Sequence, residues 1–419
     1  MTNCYNSDNE LPKLLKDQLK YVAAHSPFYQ KLFKNNSIEI EEIQSYKNFK
    51  KLPITRKEEL QLYNEDFMAV HKAEVIDYVT TSGTLGNPVS FALNDADLNR
   101  LAENERQSFE MIGVKKSHVV QLTTTLDRRF MAGMAYFMGL RKLGAAVVRT
   151  GSGLPALQWE SIQRFQPEYL VAVPSFLLKM IDFAIKNNID FKNSSVKAAV
   201  CIGEPLRNPD FSLNVLGRKI RESWDLKLFS TYASTEMGTA FTECKLHTGN
   251  HSLPQLIYTE VLDKNLEPVE IGEIGELVVT PLQTQTMPLV RFATGDMVKF
   301  YGDNCECGRK SLRISTPIGR KKQMIKLKGT TIYPQQIINV LTAFGSLEVF
   351  IIEARLNETG NDEVIIKIPK NFQEVSELQE HIQAGLKVKV KLEQVAKAKI
   401  EELKFPKESR KPKIFHDFR

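Results

Sequence analysis

Between two β-rich stretches the chain reads "TTSGTLG", with hydroxyls at Thr80, Thr81, Ser82 and Thr84 and glycines at Gly83 and Gly86. Successive backbone N–H groups in a tight glycine turn form an anion-binding nest, and neighbouring hydroxyls add donors that can follow a phosphate. A Walker-type loop needs a lysine after its last glycine and then a helix. Here Asn87 and Pro88 follow, and then the strand-like "VSFAL". The stretch is therefore either a phosphate-holding turn of another kind or the plain tip of a hairpin.

A second group is built for metal chemistry. Cys305 and Cys307 stand two apart in "DNCECGRK", and Cys244 lies in "FTECKLHTGNHS" beside His247 and His251. Three thiols and one of the two imidazoles make four soft or borderline ligands, which suits a closed, tetrahedral, structural zinc site. The five cysteines of the chain are an odd number, which argues against a disulfide framework. Cys201, inside the apolar run "KAAVCIG", reads as a small buried hydrophobe.

These residues need elements to hold them. "HVVQLTT", "AAVVRT", "EYLVAVP", "KAAVCIG" and "LKLFSTY" are short β-rich runs separated by helical stretches such as "MAGMAYFMGLRKLG". Strand–helix–strand spacing of this kind predicts parallel α/β layers. Residues 11–34 have helical periodicity broken at Pro27, and Thr55 three residues before Glu58 has the spacing of a capping box. After about residue 255 the runs "QLIYTEVLD", "GELVVTPL" and "MVKFYG" predict a β-rich subdomain. Beyond "GRKKQMIKLKG" two strand–helix alternations, ending in the strand "LKVKVKLEQV", predict a separate small α+β domain. The expected fold class is thus α/β: a large multi-layer N-terminal domain with parallel sheets and a β-rich subdomain, then a small α+β domain.

Three further stretches, with "TTSGTLGNP", carry a resemblance: "STYASTEMG", "MPLVRFATGDM" and "GRKKQMIKLKGTTIYPQQI". Their order and spacing resemble the acyl-adenylate-forming superfamily of acyl-CoA synthetases, luciferases and peptide-synthetase adenylation domains. "SPFYQKLF", "LPITRKEEL", "CIGEP" and "CECGR" are similar to local signatures of the phenylacetate–CoA ligase family. The resemblance covers nearly the whole chain. It implies an N-terminal adenylation domain over residues 1–320, with the β-rich subdomain at about 245–318. It also implies a mobile C-terminal lid over 321–419, with its hinge near Lys322.

The resemblance also implies roles. Thr81, Ser82, Gly83, Thr84 and Gly86 would wrap the β- and γ-phosphates of ATP. Gly203, Glu204 and Pro205 match the adenine-pocket turn, and Ser230, Thr231 and Tyr232 end the next strand, with Tyr232 flat against adenine. Thr235 would bond the α-phosphate, and Glu236 would hold Mg²⁺, which prefers carboxylate oxygen. Asp296 would accept from both ribose hydroxyls, with Arg320 facing the ribose. In "ESRKPKIFHDFR" Lys411 falls on the catalytic lysine, with Lys413 the alternative; Arg410 and Ile414 depart from the family pattern, as do Leu85 and Asn87 in the loop. In the family a Gly-x-His follows the first cysteine, which here selects His251 to complete the zinc set with Cys244, Cys305 and Cys307. The acyl pocket is expected among Phe130, Met134, Phe137 and Ser175, whose types suit an apolar, aryl or fatty acid.

The implied reaction joins a small carboxylic acid to a thiol at the expense of ATP. The acceptor is CoA or the phosphopantetheine of a carrier protein. The alternatives are an adenylate-forming enzyme with another acceptor and a non-catalytic nucleotide-binding relative. A homodimer is expected from the resemblance alone. The net charge of +6 is too mild to argue for nucleic acid. No apolar run approaches the roughly 20 residues that span a bilayer, and the polar "MTNCYNSDNELPKLLKDQ" lacks a signal-peptide core, so a cytoplasmic location is expected.

Overall fold

The computed structural model describes residues 10–81, 89–302, 304–327, 330–358, 360–405 and 412–419. It divides into two compact units: one runs up to Thr294 and includes Val298–Pro317, the other is Gly295–Met297 with Ile318–Arg419. Among the described residues the main sheet has twelve strands. Five of them run parallel, in the order Lys227–Ser234, Ala198–Cys201, Tyr169–Ala172, Val119–Leu122 and Ala146–Arg149. These are the five β-rich runs read from the sequence.

Parallel strands covered by helices are apolar on both faces, and alternate side chains serve the two sides. Leu170, Ala172, Ala199, Cys201 and Leu228 pack on one side with Trp159, Leu177, Met180 and Trp224. These partners come from the helices Pro155–Phe165 and Pro174–Lys186 and from the end of Val215–Ser223. Val120, Leu122, Val171, Val200 and Phe229 face the other way, against Phe109, Ile112, Tyr136 and Leu140 of Asp95–Ile112 and Met131–Leu143. Those two helices approach closely because Gly139 carries no side chain: a Cβ there would sit 2.3 Å from the Cβ of Glu105 and 2.9 Å from the backbone N of Arg106. Cys201 is buried, and burial pushes its thiol pKa up.

From Thr231↔Thr242 onward the sheet turns antiparallel, through Thr239–Glu243, Asn250–His251, Arg313–Ile314, Phe292–Gly302, Ile274–Pro281 and Ile257–Leu262. The N-terminal helices Lys13–His25 and Pro27–Asn35, parted at Pro27, share one core with Leu277, Val279 and Leu289. The helix after "LPIT" is Lys57–Leu62, capped one residue later than its sequence suggests. The backbone N of Arg56 donates to Glu59 Oε2 at 2.7 Å. Thr55 is 1% exposed and its hydroxyl donates to the Val290 carbonyl at 2.9 Å, so burial takes it away from the cap.

In the second unit a four-stranded sheet runs Lys391–Val395, Asp362–Pro369, Ile351–Leu356, Phe415–Asp417. Helices Pro334–Ala343 and Val375–Leu386 contribute Ile337, Leu341, Leu378 and Ile382 to its core. The sequence reading "LKVKVKLEQV" is only half strand, because the preceding helix runs to Leu386 and Lys387 caps it at φ +60°. Nor does the unit end there: the helix Lys397–Lys404 and the strand Phe415–Asp417 follow. Among the described residues no helix is long and apolar enough to cross a membrane.

Candidate nucleotide and metal sites

In an open α/β sheet ligands bind beyond the carboxyl ends of the parallel strands. Two sequence-selected segments meet there. Gly203–Pro205 follows Ala198–Cys201, with Gly203 at φ +73°, and the register Cys201↔Ser230 sets Ser230–Tyr232 beside it. Glu204 accepts from the Ser175 backbone N at 2.9 Å and from its hydroxyl at 2.8 Å, and so anchors the start of Pro174–Lys186. Ser175 therefore belongs to this anchor. Ser230 N donates to Glu243 Oε2 at 3.0 Å, and the Thr231 and Thr242 hydroxyls lie 3.3 Å apart. The half-buried Tyr232 ring stacks on Phe241, centroids 6.1 Å apart and planes 27° from parallel.

Thr235 and Glu236 lie in the turn after this strand. Glu236 pairs with Lys57, Oε1 to Nζ 3.0 Å, and its side chain is only 9% exposed. Oε2 is left without a partner among the described residues, so the carboxylate keeps one oxygen for a hard cation. Arg100 holds the turn from behind. Its guanidinium donates to the Gly238 carbonyl at 2.5 Å, the Leu282 carbonyl at 2.5 Å, the Thr239 hydroxyl at 2.8 Å and the Leu256 carbonyl. Burial lowers its pKa to about 10.

The loop "TTSGTLGNP" joins an antiparallel hairpin, Asp77–Thr80 with Ser90–Leu93, in the register Thr80↔Ser90. Thr81 closes it: its N–H donates to the Val89 carbonyl and its hydroxyl accepts from the Val89 N–H, both at 2.9 Å. Ser82, Gly83, Thr84 and Gly86 lie outside the described residues, as does Lys411. Lys413 is exposed, and its N–H donates to the Lys404 carbonyl at 2.7 Å.

The acyl-pocket candidates fall in different surroundings. Phe130 and Met134 are 38% and 42% exposed. Phe137 is half-buried on the core of the parallel sheet, with the Arg149 guanidinium 5.1 Å from its ring centre.

In the second unit Asp296 and Arg320 face each other across an antiparallel pair, Oδ1 to Nε 3.2 Å, with Asp296 only 7% exposed. Lys322 lies in the single turn Lys321–Gln323 directly after Arg320.

Cys244, His251, Cys305 and Cys307 come together, their ligand atoms all within 4.8 Å of one another. Cys244 Sγ lies 3.9 Å from Cys305 Sγ, and Cys307 Sγ 3.6 Å from His251 Nε2. Tetrahedral zinc with Zn–S of ~2.3 Å sets its ligands about 3.5–3.8 Å apart, so the cluster fits that ion. His251 Nδ1 is 2.9 Å from the Ser311 hydroxyl, which leaves Nε2 for the metal. Burial, with Arg313 and Arg309 nearby, lowers the His251 pKa to about 4 and keeps the ring neutral. His247 lies elsewhere, its Nδ1 3.0 Å from Glu243 Oε2.

Three features had no signal in the sequence reading: Lys57 at Glu236, Arg100 under the turn, and the buried Glu243, which also takes Arg207 Nε at 2.7 Å. The contacts Arg207–Glu243, Arg100–Gly238 and Lys57–Glu236 join segments 36, 138 and 179 residues apart. Only the periodicity of Asp95–Ile112, which buries Arg100 and Asn104 among apolar neighbours, marks one of them as unusual.

The AMP-binding enzyme family matches residues 11–286, more than half of the chain. The chain belongs to this family. A protein of Thermus thermophilus named phenylacetate-coenzyme A ligase is 27% identical over 334 residues, 78% of this chain and 74% of that one. The Escherichia coli (strain K12) protein of the same name is 23% identical over 374 residues, 86% and 83% of the two chains. Protein CapK of Staphylococcus aureus is 22% identical over 353 residues, covering 83% and 74%. Among solved structures, 2-hydroxyisobutyryl-CoA ligase in its postadenylation state with 2-HIB-AMP superposes with a TM-score of 0.81 at 22% identity, over 97% of this chain and 88% of that one. The chain shares that fold.

Proposed function

We propose that the protein is an AMP-forming acid–thiol ligase acting on an apolar carboxylic acid, aryl or fatty, with CoA as acceptor. In the first step a carboxylate oxygen attacks the α-phosphorus of ATP. The bond to the bridging oxygen breaks, and pyrophosphate leaves. In the second step a thiolate attacks the acyl carbonyl and AMP leaves. The observation that carries this reading is that Gly203–Pro205 and Ser230–Tyr232 lie at the carboxyl ends of neighbouring strands, joined by the register Cys201↔Ser230, in a chain matched by the AMP-binding family. Relatives named phenylacetate-coenzyme A ligase support the choice of acid and acceptor.

In this reading Tyr232 stacks on adenine and Asp296, steadied by Arg320, accepts the ribose hydroxyls. Thr235 bonds the α-phosphate and the loop Thr81–Gly86 the outer phosphates. Lys411 neutralises charge in the first transition state. Glu236 is the residue that would hold Mg²⁺, which would offset the phosphate charge. Cys244, His251, Cys305 and Cys307 would hold a structural zinc, tying Asn250–His251 to the segment after Phe292–Gly302. The region 321–419 acts as a lid hinged near Lys322, which keeps water from the acyl-adenylate. Cytoplasmic location and a homodimer complete the proposal.

The test is incubation with ATP, Mg²⁺, CoA and a panel of aryl, fatty and amino acids, with AMP and acyl-CoA read by mass spectrometry. Acyl-CoA formed from an aryl or fatty acid is the expected result. AMP without acyl-CoA, together with loading of a phosphopantetheine carrier, would replace CoA by a carrier protein.

A further inference from the structure

A cavity of about 530 Å³ opens at the amino ends of the parallel strands, opposite the candidate nucleotide site. The same strands mark the two ends. Lys197 directly precedes Ala198–Cys201, and Gly203–Pro205 follows it; Lys227 opens Lys227–Ser234, and Tyr232 lies five residues on. Five extended residues span about 16 Å, so the two places are distinct.

The floor is apolar: Ile112, Ala198 and Phe229 are buried there and Tyr169 is half-buried. The rim is cationic, with Lys115, Lys197, Lys227, Lys245 and Arg221. Arg221 is paired with Asp225 at 2.9 Å. The four lysines have no carboxylate partner among the described residues. Glu168, the single acid of the lining, spends Oε2 on the Val119 backbone N at 2.8 Å. His118 accepts from the Lys115 backbone, and His247 is engaged by Glu243. Lys245 is set in place by a missing side chain. Its Cε lies 3.2 Å from where a Cβ on Gly113 would stand, and Gly113 has φ +101°.

Four ammonium groups against the one carboxylate of Glu168 leave a positive excess around a concave opening, which focuses a positive potential into it. The volume lies within the range of small-ligand pockets, and the half-buried Tyr169 offers aromatic surface to a planar body. We propose that this cavity is a second binding site, for a phosphorylated organic anion with a planar ring. The site is separate from the adenylation chemistry and does not depend on it.

The test uses pyridoxal 5′-phosphate on the full chain. Its aldehyde carbon condenses with a lysine amine, losing water, and borohydride then reduces the C=N bond to a stable secondary amine that peptide mapping locates. Label should concentrate on Lys115, Lys197, Lys227 or Lys245 by about 10-fold over other exposed lysines, and pyridoxal lacking the phosphate should show no such preference. In a Lys197→Gln/Lys227→Gln variant, label at Lys115 and Lys245 should fall about 10-fold while carboxylate-dependent ATP–pyrophosphate exchange stays unchanged. Even labelling of all exposed lysines, equal preference by pyridoxal, or label at Lys115 and Lys245 indifferent to the double variant would each overturn the proposal. Because labelling is read by position and exchange separately, failure here is distinguishable from failure of the ligase reading.

Discussion

Lys57 Nζ stands 3.0 Å from Glu236 Oε1, joining the first helix after "LPIT" to the turn after the strand Lys227–Ser234 across 179 residues. The contact sets a cation against the carboxylate proposed to face the phosphates. Glu236→Gln removes the charge and keeps the shape. Carboxylate-dependent ATP–pyrophosphate exchange should fall by about 10²–10³-fold, with the circular dichroism spectrum unchanged. Exchange within a few-fold of the parent would remove Glu236 from the machinery.

The metal cluster predicts about one zinc per chain by elemental analysis of protein purified without chelator. Cys305→Ser should lower that content well below half and reduce the melting temperature by several degrees. His247→Gln should leave the zinc content alone, since His247 Nδ1 is committed to Glu243.

Glu105 predicts a pH dependence. Burial raises its pKa from 4.5 to about 8, against one hydrogen bond from Asn104. Between these values the unfolded chain releases this proton and the folded chain keeps it. Stability contributed by this group therefore falls as pH rises from about 4.5 towards 8, with a slope of at most ~1.4 kcal/mol per unit. Glu105→Gln should remove that fall, leaving a flatter curve of unfolding free energy against pH by urea titration. An unchanged slope in the variant would place the effect elsewhere.

The buried pair Arg291–Glu260 is 1% exposed on both sides, with Nη2 to Oε1 and Nε to Oε2 both at 3.0 Å. Arg291 also donates to the Leu52 carbonyl at 2.7 Å. Arg291→Met leaves Glu260 buried without its counter-charge and should cost about 3–5 kcal/mol. Arg291→Met with Glu260→Gln should recover part of that loss in denaturant titrations.

The sequence made the parallel half of the sheet legible because its inner strands, Tyr169–Ala172 and Ala198–Cys201, are apolar on both faces, a strong local signal. It also showed which residue types form the metal cluster. The family resemblance alone selects His251 over His247; the two-residue strand that carries it, Asn250–His251, paired with Arg313–Ile314, is too short for periodicity to mark. The three-residue strand Phe415–Asp417 went unread for the same reason. Thr55 had the pattern of a helix cap, but burial against Val290 overrode it. Lys57 and Arg100 were silent because their partners lie far along the chain, and only the folded sheet brings them near.

The most direct measurement of the central claim is ATP–pyrophosphate exchange across a panel of aryl, fatty and amino acids, with and without Mg²⁺. Exchange that depends on an aryl or fatty carboxylate and on Mg²⁺ is the predicted result. No exchange with any member of a broad panel, from protein shown to be folded, would contradict the account and favour a non-catalytic nucleotide-binding relative.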